Sequence, residues 1–298
     1  MTASAPSHTG WVEMARKAEG LGYSMLLVVD HVDLPIAPLT ALAVAAEATT
    51  TLRVGSLVFC NDFRHPALLA KEAAMLDLLS NGRFELGLGP GYMEADYTRT
   101  GLSLDRPGQR ISRFEEALTI IKRFFMEETV NFTGDHYTIT DLPGLPKPQQ
   151  RPHPPIYIGG GGRRMLSLAG REANIVGIAP INSKQGINLA DAALEATAHK
   201  VAWVHEAAGE RFSQLELSCT LFRVTITDGP QRASTQLLDP PVVRSDAPQQ
   251  ALNVIAGSRD AIVDELLRRR EQYGITYIQI LQQQMEEFAP IMARLQGR

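Results

Sequence analysis

The chain has 298 residues, long enough for one large α/β barrel or two ordinary domains, and length alone does not choose between them. Apolar residues make up 44% and charged residues 21%, the balance of a globular protein rather than a disordered one. The net charge of −4, with Arg and Lys spread along the chain, argues against nucleic acid as a partner, and no stretch approaches the roughly 20 consecutive apolar residues that span a bilayer.

Cys60 and Cys219 stand far apart without metal-ligand spacing, and Met1–Gly10 carries no apolar run of the signal-peptide kind. The expectation is a cytoplasmic chain with reduced thiols, no metal and no membrane span.

Trp11, Met14, Ala15, Ala18 and Leu21 recur at helical spacing opposite Glu13, Arg16, Lys17 and Glu19, so an amphipathic helix runs up to Gly22. Met25–Val29 then reads as a strand that is apolar throughout, as a parallel strand covered on both faces must be. The cycle repeats with a helix at Pro38–Ala48, a strand at Leu52–Phe59, a helix at Pro66–Leu79 and a strand at Phe84–Gly89. A further helix carries Ile111, Phe114, Leu118, Ile121 and Phe125 on one stripe.

Between Thr129 and Pro155 the pattern gives way to a hairpin, Val130–Phe132 with Tyr137–Ile139, and a Pro-rich loop. It resumes with a strand at Pro155–Ile158, a helix from Arg163, a strand at Ile175–Ile178, a helix near Leu189–Ala207 and a strand at Leu215–Thr227. Residues 228–257 are Pro- and Gln-rich; Ser258 and Asp260 then open a helix that Gly274 ends after Tyr273, Ile275–Leu281 is a strand, and a short helix follows.

Strands alternating with helices over this length suggest a doubly wound sheet or an eight-stranded barrel. A single barrel domain spanning 1–298, with insertions at about 129–154 and 228–257, fits best. Seven core strands are visible, and the missing one belongs before Trp11, where Met1–Gly10 offers mostly small and polar residues. A segment such as Pro241–Arg244 or a partner chain could cover the open edge, or the start of the chain has been lost.

In parallel α/β folds the chemistry comes from the loops after the strands. After the first visible strand stand Asp30 and His31; a neutral imidazole there can move a proton near pH 7, with Asp30 orienting it, or Asp30 merely caps the loop. After the second come Asn61 and Arg64, which could hold a ligand, and Cys60, which reads as a buried filler rather than a nucleophile. Gly87–Tyr92 ends its strand with small residues that let a flat ligand approach the backbone at Gly89 and Gly91 beside Tyr92, or simply forms a tight turn.

The sharpest local signal is Ile156–Arg164, a strand running into Gly159, Gly160, Gly161 and Gly162 and then a helix that opens with Arg163 and Arg164. Bare backbone amides, a helix N-terminus and guanidinium forks suit an anion. Arg164 occupies the place of the third glycine of a dinucleotide fingerprint, so a single phosphate is favoured.

Leu21-Gly22-Tyr23 before the Asp30-His31 strand, Asn61–Pro66, Asn81–Gly89 and Pro154–Gly162 together resemble the luciferase-like monooxygenase superfamily over about residues 11–298. Within it the chain is most similar to the branch that uses the deazaflavin coenzyme F420, and less so to the FMN-dependent branches.

The resemblance implies a TIM-like barrel with an insertion between strands four and five, phosphate held by Gly160–Arg164, and His31 facing the cofactor ring as acid or base. It also implies a bulge with a non-proline cis peptide, expected at Ser56–Leu57, behind the ring. Several deazaflavin enzymes carry Trp or Glu where this chain has Tyr92.

Three functions follow. The first is hydride transfer between reduced deazaflavin and a small organic substrate. The second is an FMN-dependent monooxygenase served by a flavin reductase. The third is a non-catalytic binding or partner subunit on the same fold. A homodimer is expected in each case.

Overall fold

The computed structural model describes residues 7–183, 186–188, 191–228 and 251–297, and the chain divides into two compact units, Met1–Tyr157 and Ile158–Arg298. In the first unit the helix α1 (His8–Gly20) is capped by the Ser7 side chain, which accepts from Gly10 N, and it buries Trp11, Met14, Ala15 and Ala18. Among the described residues α1 precedes every strand. The expectations placed on residues 1–6 and on Pro241–Arg244 lie outside the described residues.

The strands β1 (Met25–Val28) and β2 (Arg53–Ser56) pair in parallel from Met25↔Arg53 to Val28↔Ser56. β2 pairs in turn with β4 (Phe84–Gly89), whose six residues are all buried. The helices α2 (Pro38–Ala48) and α3 (Pro66–Leu79) have the bounds expected, each opened by a proline whose missing N–H costs nothing in the first turn.

The single strand expected at Leu52–Phe59 is interrupted. Leu57 N still donates to Val28 O at 2.9 Å, but pairing then breaks off and resumes as β3 (Phe59–Cys60), which lies against the end of β4 through Phe59↔Leu88 and Cys60↔Gly89. The non-proline cis bond falls inside this break, at Leu57–Val58, one residue beyond the expected Ser56–Leu57, because Ser56 is still held in the β1–β2 ladder.

α4 (Glu94–Thr100) is a helix beyond those the sequence pattern predicts; acidic residues stand in its first turn and Gly101, at φ 73°, ends it in the left-handed conformation. α5 (Pro107–Met126) buries Phe114, Leu118, Ile121 and Phe125 as its stripe requires. A hairpin of β5 (Thr129–Thr133) and β6 (Thr138–Pro143) follows, its turn held by Glu116, whose carboxylate accepts from the amides of Asp135, His136 and Tyr137.

β7 (Ile156–Gly160) carries the chain into the second unit. There α6 (Arg163–Glu172) leads to β8 (Ile175–Ile178), the short β9 (Asn182–Ser183) and β10 (Gly186–Ile187) form an antiparallel pair, and α7 (Leu194–Ala208) follows. The strand expected at Leu215–Thr227 is two: β11 (Glu216–Leu221) pairs in parallel with β8 and with the later β14 (Ile275–Ile280), whereas β12 (Arg223–Ile226) pairs with β13 (Val254–Gly257). The strand divides at Phe222 because its two parts answer to different neighbours. α8 (Arg259–Tyr273) has the Ser258 cap and the left-handed Gly274 that the sequence signals, and α9 (Met285–Leu295) is the last helix described.

Candidate functional site

In the first unit the segments that follow β1, β3 and β4 meet α4 and α5, the place where a parallel α/β fold gathers functional groups. Two polar clusters result.

The first joins His31 to α4. His31 Nδ1 lies 2.7 Å from Asp96 Oδ2, and the other oxygen of Asp96 accepts from Val32 N at 3.2 Å. Asp96 is buried, 3% exposed, while the imidazole keeps 24% of its side-chain surface open. A carboxylate on Nδ1 fixes that nitrogen as the protonated one, which makes Nε2 the basic position of the neutral ring. Tyr92 stands edge-on to the imidazole at 6.0 Å between centroids.

Asp30 does not orient His31. Its carboxylate receives the two prongs of Arg64 at 2.5 and 2.9 Å, and Cys60 N at 3.0 Å, so its oxygens are taken. The Arg64 guanidinium is also 5.2 Å from the Phe59 ring centroid. Arg64 is thereby a brace between loops rather than an open cation.

The second cluster centres on Asp62. Arg113 grips both its oxygens at 2.8 and 2.7 Å, Tyr97 OH donates to it at 2.7 Å, and Arg113 reaches on to Asp105 at 2.7 Å. The carboxylates hold the Arg113 guanidinium well above its ordinary pKa, and burial does the same to the Tyr97 phenol. Asn61 Nδ2 donates to Tyr137 OH of the hairpin at 3.1 Å.

Cys60 sits beside this cluster, its thiol pushed up to about 11 by burial, so it is no nucleophile near neutral pH. Cys219 is likewise buried and free, pushed up to about 12.

Gly91 explains itself. Its φ is +75°, and a β-carbon there would run into the Tyr97 hydroxyl and the Cys60 sulfur. Gly87 packs so closely on the backbone of Ser56 that a side chain could not fit, while Ser56 Oγ donates to Gly87 O at 2.8 Å and accepts from Gly87 N at 3.1 Å. A β-carbon on Gly89 would press on Val58 at 2.8 Å. The glycines of β4 therefore let it lie tight against the bulge at Leu57–Val58.

In the second unit the glycine turn stands between β7 and α6. Gly160 O accepts from Ala179 N at 3.0 Å, and a β-carbon on Gly161 would lie 2.6 Å from Ala179 O and 2.8 Å from Ile181 N, so Gly161 is required by the backbone beside it. At Gly162, the N-cap of α6, a β-carbon would have no neighbour within 4 Å, and no side chain caps the helix. The first turn of α6 is thus left without a side-chain cap, and a helix N-terminus of that kind suits an anion. Gly159 completes the end of β7. Arg163 pairs with Glu206 at 3.0 Å, both exposed, and Arg164 is exposed at the next position.

The residues that sequence reasoning missed, Asp62, Asp96, Tyr97 and Arg113, are the partners in these clusters. α4 was readable: Glu94 and Asp96 in a first turn, with a glycine just past the end, is a helix signature. Among the described residues no group of three or more His, Cys, Asp or Glu gathers as a metal site, and no helix is long and apolar enough to cross a membrane.

Residues 1–293 match the luciferase-like monooxygenase family. The chain belongs to that family. An F420-dependent glucose-6-phosphate dehydrogenase of Amycolatopsis mediterranei is 34% identical over 169 residues, covering 54% of this chain and 50% of that protein. An FMNH(2)-dependent dimethylsulfone monooxygenase of Pseudomonas putida is 33% identical over 106 residues, covering 36% of this chain and 29% of its own length. The chain thus matches about half the length, or less, of these curated relatives.

Among solved structures, an F420-dependent secondary alcohol dehydrogenase in complex with an F420-acetone adduct superimposes with a TM-score of 0.77 at 19% identity, over 96% of this chain and 94% of that one. At that identity the likeness establishes the fold: the parallel α/β barrel of the luciferase-like family.

Proposed function

We propose that this luciferase-like chain is an oxidoreductase that transfers a hydride between reduced coenzyme F420 and a small organic substrate. The observation that carries the reading is the His31–Asp96 pair at 2.7 Å, in a family whose members include F420-dependent dehydrogenases. A partly exposed imidazole whose tautomer is set by a buried carboxylate is equipped to give and take a proton at Nε2.

The residues fit a phosphate-bearing ring system. At Gly160 and Gly161 a β-carbon would meet neighbouring atoms, at Gly162 it would meet none within 4 Å, and α6 begins without a side-chain cap. In this reading the glycine turn of the second unit, with Arg163 and Arg164, suits a phosphate, and within the first unit Gly89, Gly91, Tyr92 and the bulge at Leu57 make a surface that suits a flat ring. Ser56, Asp30 and Asn61 act by bracing that surface. Bound deazaflavin would give or take the hydride; the protein supplies orientation, exclusion of water and the proton position on His31.

The second reading is FMN-dependent oxygenation, favoured by the likeness to the dimethylsulfone monooxygenase and requiring a flavin reductase as partner. A single barrel domain with insertions at about 129–154 and 228–257, a homodimer and a cytoplasmic setting belong to the same proposal. Titration of the purified protein with F420 and with FMN, followed by absorbance and fluorescence, tests it. Saturable binding of F420 supports the first reading and binding of FMN alone the second; binding of neither leaves the non-catalytic subunit as the reading.

A further inference from the structure

Lys200 is an oddity of the second unit: a lysine in the middle of α7 that is 2% exposed. Burying an ammonium is costly unless every proton finds an acceptor, and a Leu or Met would fill the same volume without that cost. Here all the protons are spent. Lys200 Nζ donates to Ala179 O at 2.8 Å, to Asp191 O at 2.9 Å and to Asp191 Oδ2 at 2.6 Å. Burial pulls its pKa down and the Asp191 carboxylate opposes that.

The acceptors are not scattered. Ala179 and Asp191 lie at the two ends of the connection from β8 towards α7, and Asp191 Oδ2 also accepts from Ile181 N at 2.5 Å. Residues 179–181 are the backbone against which Gly161 is pressed, and Ala179 N is the donor to Gly160 O. The contacts therefore close a ring: Lys200 to Ala179, Ala179 to Gly160, Gly161 back onto Ala179 and Ile181, Ile181 to Asp191, and Asp191 to Lys200.

We infer that Lys200 and Asp191 are positioning residues for the glycine turn: a buried ion pair that sets residues 179–181 as the floor beneath Gly161 and so fixes the amides at the start of α6 for a phosphate monoester or diester. Lys200 does not touch the anion, since its protons are used up. The inference rests on the reading of the turn as a phosphate holder, and the test is built to separate the two.

The measurement is the affinity ratio between a phosphate-bearing ligand and its phosphate-free counterpart: FMN against riboflavin, and F420 against its phosphate-free deazaflavin. It is taken on the wild type, Lys200→Met and Asp191→Asn. A wild-type preference for the phosphate form that drops at least tenfold in the variants, with the phosphate-free ligand bound as before, is the expected result. A ratio unchanged in the variants overturns the role of Lys200 and leaves the phosphate reading standing. A wild type with no preference in either pair overturns the phosphate reading and the inference with it. Loss of cooperative unfolding in both variants also overturns it, because the ion pair would then hold up the fold rather than aim the turn.

Discussion

The two candidate regions of this protein are built on opposite principles. In the first unit the surface near His31 is made by polar side chains brought together from distant parts of the chain: Asp96 on His31, Arg64 on Asp30, Arg113 on Asp62. In the second unit the turn at Gly160–Gly162 is made by the absence of side chains, with the Lys200–Asp191 pair beside it. A region defined by charge pairs can hold a proton at one ring nitrogen; a region defined by bare amides can hold an anion of almost any shape. The contrast predicts that substitutions in the first region change reactivity, and substitutions in the second change affinity.

The largest effect is expected at the imidazole. His31→Ala should lower turnover by about 10²- to 10⁴-fold while cofactor affinity stays within twofold, as loss of a general acid or base does. Asp96→Asn, which keeps the shape but not the charge, should cost about 10- to 100-fold. Steady-state rates of reduced-cofactor consumption, with any substrate the wild type accepts, decide this; a His31→Ala protein at full rate would break the comparison at its first limb.

Removing a member of the second charge cluster should act on stability instead. Arg113→Met leaves the buried Asp62 carboxylate with Tyr97 as its remaining strong donor, and should cost about 2 kcal/mol, less than for a fully buried pair because the guanidinium is partly in water. Urea denaturation followed by circular dichroism measures it. A change below about 0.5 kcal/mol would mean that the cluster is ornamental to the fold.

The smallest expected effect lies away from both regions, at Glu19. The amide of Thr51, opposed by partial burial and helped by the amides of Leu52 and Thr50, lowers its carboxyl from an ordinary 4.5 to about 2. A carboxyl depressed in the folded state contributes stability above pH 4.5 that is lost as the pH falls from 4.5 towards 2. Glu19→Gln should therefore lower stability at pH 7 by about 1 kcal/mol, discounted for exposure, and flatten the acid limb of the stability profile. An acid limb identical to the wild type would remove Glu19 from the account.

Where one stretch of sequence holds all its own reasons, it could be read. The bounds of α2, α3 and β4 follow from proline starts and unbroken apolar runs, and the glycine turn is visible because its glycines are consecutive. Where the reason lies in a distant partner, reading stopped short. Asp30 sits next to His31 in the chain, which suggests that it orients the ring, yet the two side chains have different partners, and the acid that holds the ring comes 65 residues later. The split of the strand after Leu221 was invisible for the same reason, since it depends on which neighbour each half pairs with. The cis bond lies one residue beyond the expected position because the ladder holds Ser56, a pairing between strands that composition does not reveal.

One substitution puts the central claim to its most direct test. At Gly162 the backbone is extended at φ −90° and a β-carbon would meet no protein atom within 4 Å, so Gly162→Val leaves the fold intact apart from a small cost at the helix cap. The dissociation constants of F420 and FMN for this variant and for the wild type are compared by fluorescence titration, with the melting temperature as a control on folding. The account predicts at least a tenfold loss of affinity for whichever cofactor the wild type binds, at nearly unchanged melting temperature. Equal affinity in the two proteins would contradict it, because the amides at the head of α6 would then not be what holds the phosphate.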